Sequence, residues 1–209
     1  MNRKNTNFRA NARTLIKDHS VFRAISERYG HPELPITRPV NLEALVLIIL
    51  EQQVAVKATR TLFKRLKQKL GRLSARKLVT AGQDGLRECG LTRQKAEYCY
   101  LLGLAISERR FSISKLSLMS DEDAGNALVA LKGIGPWTAS IFMMNSLQRV
   151  DVWPPGDLAL DRAIDELLPD AQKASAKQGL LWRPYRSVAA EYLWHHYRNT
   201  RNQKRPESC

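Results

Sequence analysis

The chain has 209 residues, 44% of them hydrophobic, which is enough to bury a core in one domain or two packed subdomains. Its 34 Lys and Arg against 20 Asp and Glu give a formal net charge of +14, which favours a polyanionic partner, chiefly nucleic acid. A membrane protein is not expected, because the apolar run at residues 45–50 is too short for a membrane span. A secreted protein is not expected either, because the N-terminus lacks the apolar segment of a secretory signal. Three scattered cysteines are too few for a disulfide framework or a four-thiolate metal site.

Helical periodicity dominates the first half of the chain, and strand signals are almost absent. The apolar spacing predicts two short amphipathic helices over residues 8–17 and 21–29, followed by a Pro-rich link at 31–39. Asn41 is a good N-cap for a long apolar helix through about residue 54. A basic helix closed by Gly71 comes next. Short helices are predicted around residues 75–80 and 84–88.

The second half of the chain is also helical. Thr92 and Ser120 are predicted N-caps of helices that run to about residue 109 and to Gly133. Pro136 and Asp157 start two more helices, the second of which stops before residue 169. The last helix spans about residues 185–197, and the tail from residue 199 is expected to fray. Only residues 150–153 are β-like, so the fold class is all-α.

A basic segment without a single acidic residue lies between Gln52 and Gln83. Such a field attracts nucleic acid through counterion release. The alternative is a solvated basic face that binds nothing. The basic residues are Lys57, Arg60, Lys64, Arg65, Lys67, Lys69, Arg72, Arg76 and Lys77.

The strongest functional signal is the sequence LKGIGPWTASIFMMNSLQRVDVWPPGD at residues 131–157. Gly133 and Gly135 allow a tight turn with positive φ, and Pro136 suits the first helical position, where its missing N–H is harmless. The N–H groups of the turn then lie at a helix N-terminus, which is an anion site. We expect two helices joined in this way to grip a DNA phosphate, although a plain helix–turn–helix connection shares the pattern.

This segment resembles the helix–hairpin–helix (HhH) of the HhH-GPD DNA glycosylase superfamily, in which a Gly/Pro-rich loop and an essential aspartate follow the hairpin. The matching hairpin residues are Leu131, Gly133, Ile134 and Gly135, and Asp157 follows Trp137 at the family's spacing. The sequences PPGDLALDRA, IILEQQVAVKATR and WRPYRSVAAEYLWHHYR are similar to the alkylbase branch, the 3-methyladenine DNA glycosylase II enzymes. The resemblance covers about residues 41–198.

The resemblance implies two packed helical subdomains with a central DNA-binding cleft. Residues 1–40 with 151–209 would form one subdomain and residues 41–150 the other, with the helix–hairpin–helix at about 121–147. It implies the compact form without the N-terminal β domain of some bacterial members. The implied activity is that of a DNA glycosylase in base excision repair, which flips alkylated purines such as 3-methyladenine and 7-methylguanine from duplex DNA and releases them hydrolytically.

Two departures from other members of the superfamily define the expected subtype. Members with lyase activity carry a Schiff-base lysine in the hairpin helix, whereas here that helix reads PWTASIF. No AP-lyase activity is therefore expected. The C-terminal four-cysteine iron–sulfur cluster of some relatives is absent, since only Cys209 lies beyond Cys99.

The resemblance assigns the catalytic carboxylate to Asp157, which would stabilise an oxocarbenium-like sugar or activate water. The alternative for this residue is an ordinary helix N-cap. A methylated purine is cationic and leaves easily, so its pocket needs electron-rich aromatic faces. Trp137 and Tyr185 match such positions, and Ile141 replaces a residue that is often aromatic in relatives.

The resemblance assigns the DNA contacts to the hairpin and to the end of the apolar helix. Gln53 lies in the family's wedge region, which fills the gap left by a flipped base; the alternative is a surface amide. The assigned DNA-binding residues are Gly133, Ile134, Gly135, Thr138, Gln52, Gln53 and Lys57.

The remaining aromatic, acidic and histidine residues are expected to be structural or solvated. His195 and His196 lack a spaced set of further ligands, so no metal is expected. No cofactor is expected either, and the one candidate ion is a monovalent cation at the hairpin backbone carbonyls. The residues given a core role are Trp153, Trp182 and Trp194, and those given a structural or solvated role are Asp151 and Asp161.

The expected partner is double-stranded DNA containing damaged bases. We expect a monomer that is intracellular and DNA-associated, in the cytoplasm or nucleoid of a prokaryote or the nucleus of a eukaryote. Two alternative functions stay open. One is a glycosylase for oxidised or deaminated bases, and the other is a non-enzymatic module that uses the hairpin only to bind DNA structure.

Overall fold

A computed structural model describes residues 3–54 and 56–203, with side chains for residues 8–54 and 57–203. Within these ranges the chain forms α-helices and two short 3-10 helices, Ser114–Leu118 and Leu180–Trp182, with no strand, which confirms the all-α prediction. None of the described helices is long and apolar enough to cross a membrane. The α-helices are α1 (Arg3–Asp18), α2 (Ser20–Tyr29), α3 (Leu42–Glu51), α4 (Val56–Leu70), α5 (Ala75–Glu88), α6 (Arg93–Ser107), α7 (Asp121–Val129), α8 (Pro136–Asn145), α9 (Leu158–Leu167), α10 (Asp170–Lys177) and α11 (Arg186–Gln203).

The helices group into two compact units. The central unit is Arg38–Leu147, and the terminal unit combines Met1–Thr37 with Gln148–Cys209. The central unit therefore contains α3 to α8, whereas the terminal unit contains α1, α2 and α9 to α11.

Helix α3 forms the core of the central unit because it is apolar on every face, as a fully buried helix must be. It packs against α4, α6 and α8. The Asn41 side chain caps it by accepting a hydrogen bond from Ala44 N (3.0 Å), as predicted. The helix ends at Glu51, three residues before its predicted end, because Gln53 has a left-handed backbone conformation with φ +54°. The buried residues of α3 are Ala44, Leu45, Val46, Ile48, Ile49 and Leu50.

Helices α5 and α6 pack along each other at a close approach that requires a glycine. An ideal Cβ at Gly103 would lie 2.9 Å from Leu78 Cβ and 3.0 Å from Ala75 O. The two short helices predicted at 75–80 and 84–88 are present as two arms of α5, which meet at a kink at Gly82, where φ is +63°.

Aromatic rings fill the core of the terminal unit. Phe22 packs edge-on against Trp182 and Tyr192, with ring centroids 5.6 and 5.9 Å apart. Trp153 lies 5.2 Å from Trp182, so both tryptophans are core residues, as expected. Around this cluster α11 packs against α1, α2 and α9.

Three local features of the terminal unit differ from the sequence-based expectation. Residues 150–153 form no strand, because Val150 O accepts from Ser187 N (2.9 Å) and Val152 N donates to Ser187 Oγ (3.1 Å). Helix α10 was not predicted, since its sequence DAQKASAK lacks apolar periodicity and only Ala176 is buried. The expected fraying does not begin at residue 199, because α11 continues to Gln203 and Asn199 Nδ2 and Thr200 Oγ1 bond to carbonyls one turn back. Residues 204–209 of the tail lie outside the described residues.

Glu191 on α11 predicts a pH dependence of stability. Burial raises the pKa of its carboxyl to about 7, with Arg198 opposing that shift. Between about pH 4.5 and 7 the folded state therefore binds more protons than the unfolded state, and stability falls as pH rises through this window by up to about 3 kcal/mol. We expect Glu191→Gln to remove this fall in the free energy of unfolding, as measured by urea titrations at pH 5 and pH 8.

The control for this experiment is Glu27→Gln, since Glu27 is exposed on α2 of the same unit. It should leave the wild-type pH slope unchanged. Identical slopes for the wild type and both variants would show that Glu191 is not desolvated in the folded protein.

Candidate functional site

The hairpin between α7 and α8 is shaped by one close contact at Gly133. This residue has φ +89°, and the ring of Tyr98 occupies the space of a side chain, because an ideal Cβ would lie 2.2 Å from Tyr98 Cγ and Cδ2. Ile134 is buried below the turn, and its N–H donates to Leu131 O (3.0 Å). Glycine at position 133 is therefore required both by the backbone conformation and by the packing.

Gly135 has a different role from the one expected. Its φ is −83°, so the prediction of a positive φ at this position is wrong. It is the N-cap of α8, it brings no capping side chain, and Pro136 follows at the first helical position as predicted. A Cβ on Gly135 would meet nothing within 4 Å, so the surface beside this helix N-terminus is open, as an anion site requires.

Gln52 connects the end of α3 to the hairpin. Its Nε2 donates to Gly133 O (2.8 Å) and to Thr138 Oγ1 (3.2 Å). Thr138 is buried with 5% exposure, so its hydroxyl serves this internal bond. Although Gln52 and Thr138 were both expected to contact DNA, the structure uses their side chains to hold the hairpin.

Gln53 and Lys57 are the exposed members of the same region. Gln53 follows the anchored Gln52 directly, and Lys57 lies in the first turn of α4. Together with α6 and the hairpin, Gln53 borders an open groove of about 500 Å³ within the central unit. A monovalent cation was the candidate ion at the hairpin backbone carbonyls. Two of these carbonyls accept hydrogen bonds from the protein itself: Leu131 O from Ile134 N and Gly133 O from Gln52 Nε2.

Sequence reasoning missed Lys95, the third residue of α6. It is buried, and its Nζ donates to Leu50 O (2.7 Å) and Gln52 O (2.8 Å) at the end of α3. Burial lowers the pKa of its ammonium group. The sequence GLTRQKAEY contains this lysine, but no local pattern shows that its side chain reaches α3.

In the terminal unit Asp157 is the N-cap of α9, the helix-capping role that the sequence suggested for it. Its Oδ1 accepts from Ala159 N (2.9 Å) and Leu160 N (3.0 Å). It also accepts from the indole Nε1 of Trp194 on α11 (3.2 Å). Trp194 was expected in the core, and that prediction is wrong because the residue is half-buried and bound to this carboxylate.

The two other carboxylates considered in this region differ from Asp157. Asp151 forms an ion pair with Arg186, with Oδ1 2.7 Å from Nε and Oδ2 3.1 Å from Nη2, which is a structural role, as expected. Asp161 lies one turn after Asp157 on α9, and burial raises the pKa of its carboxyl.

The aromatic candidates lie on both units. Trp137 is 39% exposed in the first turn of α8, so it is not a core tryptophan, and Ile141 follows one turn later, half-buried. Tyr185 is half-buried just before α11.

The two neighbouring histidines are structural. His195 Nε2 lies 3.2 Å from Tyr29 O, and His196 Nε2 lies 3.1 Å from Glu166 Oε2. Among the described residues no group of His, Cys, Asp and Glu is arranged to hold a metal ion.

The helical fold, the Gly-Ile-Gly hairpin and a helix-capping aspartate are the features expected of a helix–hairpin–helix protein. The chain belongs to the HhH-GPD superfamily of base excision DNA repair proteins, whose sequence model matches residues 46–183. The family predicted from the hairpin and its flanking segments is thus confirmed.

Individual relatives agree with this membership. A crystal structure of a DNA-3-methyladenine glycosidase from Bacillus halodurans is 30% identical, with a TM-score of 0.80 over 92% of this chain and 91% of that one. YfjP of Bacillus subtilis is 36% identical over 116 residues, which is 52% of this chain and 39% of that protein. The DNA-3-methyladenine glycosylase of Saccharomyces cerevisiae is 30% identical over 118 residues, 54% of this chain and 40% of that enzyme. The matches therefore span about two fifths of these two curated relatives.

The two hairpin glycines should respond differently to alanine. We expect Gly133→Ala to lower the free energy of unfolding by at least about 2 kcal/mol, because the new Cβ overlaps the Tyr98 ring at a positive φ. Gly135→Ala should change stability by less than about 1 kcal/mol, since its φ suits alanine and its Cβ meets no atom, which offsets the lower preference for alanine at an N-cap. Urea unfolding of both variants checks this difference.

The same pair tests whether the open side of Gly135 receives a DNA phosphate. Gly135→Ala should weaken binding to duplex DNA in spite of its unchanged stability. Wild-type affinity in a correctly folded Gly135→Ala protein would contradict a close backbone approach at this position.

Proposed function

We propose that this protein is a monofunctional DNA glycosylase that flips alkylated purines of the 3-methyladenine and 7-methylguanine type out of duplex DNA and hydrolyses their glycosidic bonds. The observation that carries the proposal is the arrangement at Asp157, whose carboxylate is held by the first turn of α9 and by the indole of Trp194. Family membership supports it, as does the similarity, over nearly the whole of both chains, to a protein named DNA-3-methyladenine glycosidase.

Asp157 is the proposed catalytic carboxylate. Glycosidic cleavage passes through a sugar with oxocarbenium character, and a fixed negative charge beside it lowers the barrier or activates the attacking water. The three donors to Oδ1 come from rigid elements, so the carboxylate does not have to reorient during the reaction. An N-cap role and a catalytic role are therefore compatible in one residue.

Trp137, Ile141 and Tyr185 are the residues proposed to contact the flipped base. A methylated purine carries a positive charge, so it leaves without strong acid catalysis and is attracted to the electron-rich face of an indole or phenol ring. Trp137 is 39% exposed, and its indole is the proposed stacking face. Ile141 adds an aliphatic wall, so the proposed selectivity depends more on the charge of the damaged base than on stacking from every side.

Duplex DNA is the proposed partner, bound by a protein that is monomeric and DNA-associated in the cell. The open helix end at Gly135 offers backbone N–H groups to a phosphate, and Thr138 would contribute through its backbone N–H because its hydroxyl binds Gln52. Lys57 and the other basic residues of the segment after Gln52 supply phosphate contacts that do not depend on sequence. Gln53 is the proposed wedge.

Asp157→Asn tests the catalytic assignment without disturbing the fold, because asparagine is an equally good N-cap. We expect single-turnover release of 3-methyladenine or 7-methylguanine to fall at least about 100-fold, since a neutral amide neither stabilises the sugar cation nor activates water. Binding to DNA with an abasic analogue should survive or tighten, because a negative charge near phosphates is removed.

Asp161→Asn is the matched control, with the same charge change one turn later on the same helix. It should release bases within about threefold of the wild type, because the proposed reaction does not use this carboxylate. Normal release by Asp157→Asn would refute the assignment, and loss of release only in Asp161→Asn would move the chemistry to that residue.

A second test concerns strand cleavage. The sequence of α8 is PWTASIFMMN, which offers no lysine for a Schiff base with the sugar. We expect the abasic product strand to remain intact until it is treated with hot alkali, and borohydride to trap no covalent enzyme–DNA adduct. Trapping at stoichiometric yield would show that the enzyme is bifunctional.

A further inference from the structure

We propose that Lys95 is a positioning residue that fixes the turn carrying Gln53, so that this side chain is held ready to fill the gap left by a flipped base. The inference rests on the function proposed above. Lys95 would not touch DNA itself but would act through the two backbone carbonyls that its ammonium group binds.

Lys95 places a charged group in the interior of the central unit, which is energetically costly. Lys95 is 7% exposed, and a buried ammonium group loses its hydration. Two short hydrogen bonds from Nζ to the carbonyls of Leu50 and Gln52 offset this cost. The ammonium group lies at the C-terminal end of α3, where carbonyls without helical partners carry partial negative charge.

Lys95 binds the peptide group that directly precedes Gln53. Gln52 O belongs to the peptide group that joins Gln52 to Gln53, so the 2.8 Å bond from Lys95 Nζ restricts the backbone on the N-terminal side of Gln53. Gln53 has φ +54°, a left-handed conformation that is unfavourable for a residue with a side chain. Such a conformation persists only where the surroundings hold it, and Lys95 binds the adjoining peptide directly.

The side chains of the two residues before Gln53 are also held by hydrogen bonds. Glu51 accepts two hydrogen bonds from Arg38, at 2.7 and 2.8 Å. The Gln52 side chain is bound to Gly133 and Thr138. The turn is thus anchored up to the 52–53 peptide, while the side chain of Gln53 is exposed. This is the arrangement that a preorganised wedge requires, because ordering a loose residue during flipping would reduce the population of the flipped state.

The test measures base flipping and base release separately. Flipping is followed by the fluorescence of 2-aminopurine placed beside a stable lesion analogue, and release by single-turnover excision of 3-methyladenine. Lys95→Met keeps the apolar stem and removes the donors. We expect it to lower both flipping and release about tenfold, because Gln53 would then have to be ordered during each flipping event. Binding to undamaged duplex should be unchanged relative to the control.

The control is Lys115→Met, because Lys115 is exposed in the 3-10 helix Ser114–Leu118 and its loss changes the net charge equally. It should flip and release like the wild type. Lys95→Arg, which retains a cationic donor, should recover part of the loss. Urea unfolding verifies that each variant is folded. If Lys95→Met is not, Lys95→Leu, which also lacks a donor, replaces it under the same criteria.

A double-mutant cycle with Gln53→Ala separates positioning from general structure. If Lys95 acts through the wedge, Lys95→Met causes no further loss of flipping once Gln53 is alanine. The inference is overturned if the losses of flipping caused by Lys95→Met and by Gln53→Ala multiply in the double variant. It is also overturned if Lys95→Met flips bases like the wild type. A wild-type protein that neither flips nor releases any damaged base would instead refute the proposed glycosylase function, so the two failures are distinguishable.

Discussion

The contact between the Tyr98 ring and the backbone of Gly133 is the constraint on which the central unit depends. It fixes the hairpin in a conformation that only glycine adopts, and that conformation directs Gly133 O to the side chain of Gln52. Lys95 lies one turn before Tyr98 on α6 and binds the backbone at the end of α3. One helix therefore holds both the hairpin and the turn that bears Gln53, and a change in α6 would be transmitted to both.

Two helix N-termini are used in opposite ways by the two units. The N-terminus of α8 begins at Gly135, which has no capping side chain and leaves open space beside the backbone. The N-terminus of α9 is filled by the carboxylate of Asp157. The same electrostatic property, a partial positive charge on backbone N–H groups, suits an external phosphate in the first case and orients an internal acid in the second.

Several buried or half-buried polar side chains support particular backbone segments. Lys95, Gln52 and Thr138 all serve the junction between α3 and the hairpin, and Ser187 satisfies the extended backbone at Val150 and Val152. Each such group pairs with a donor or acceptor from a distant part of the chain, since an unpaired buried polar atom is costly. In this protein the supported segments include those that carry the proposed DNA contacts.

Local sequence patterns predicted the described α-helices other than α10, the caps at Asn41, Ser120 and Asp157, and the family, because apolar period, capping and hairpin motifs lie within a few neighbouring residues. It misjudged Gly135, Trp194 and the tail of α11, whose states depend on packing. The hydrogen-bond partners of Gln52, Lys95 and Trp194 follow from helix packing, since they lie 81, 43 and 37 residues away along the chain. No local pattern encodes a hydrogen bond over such a separation, because its formation depends on how several helices pack at once.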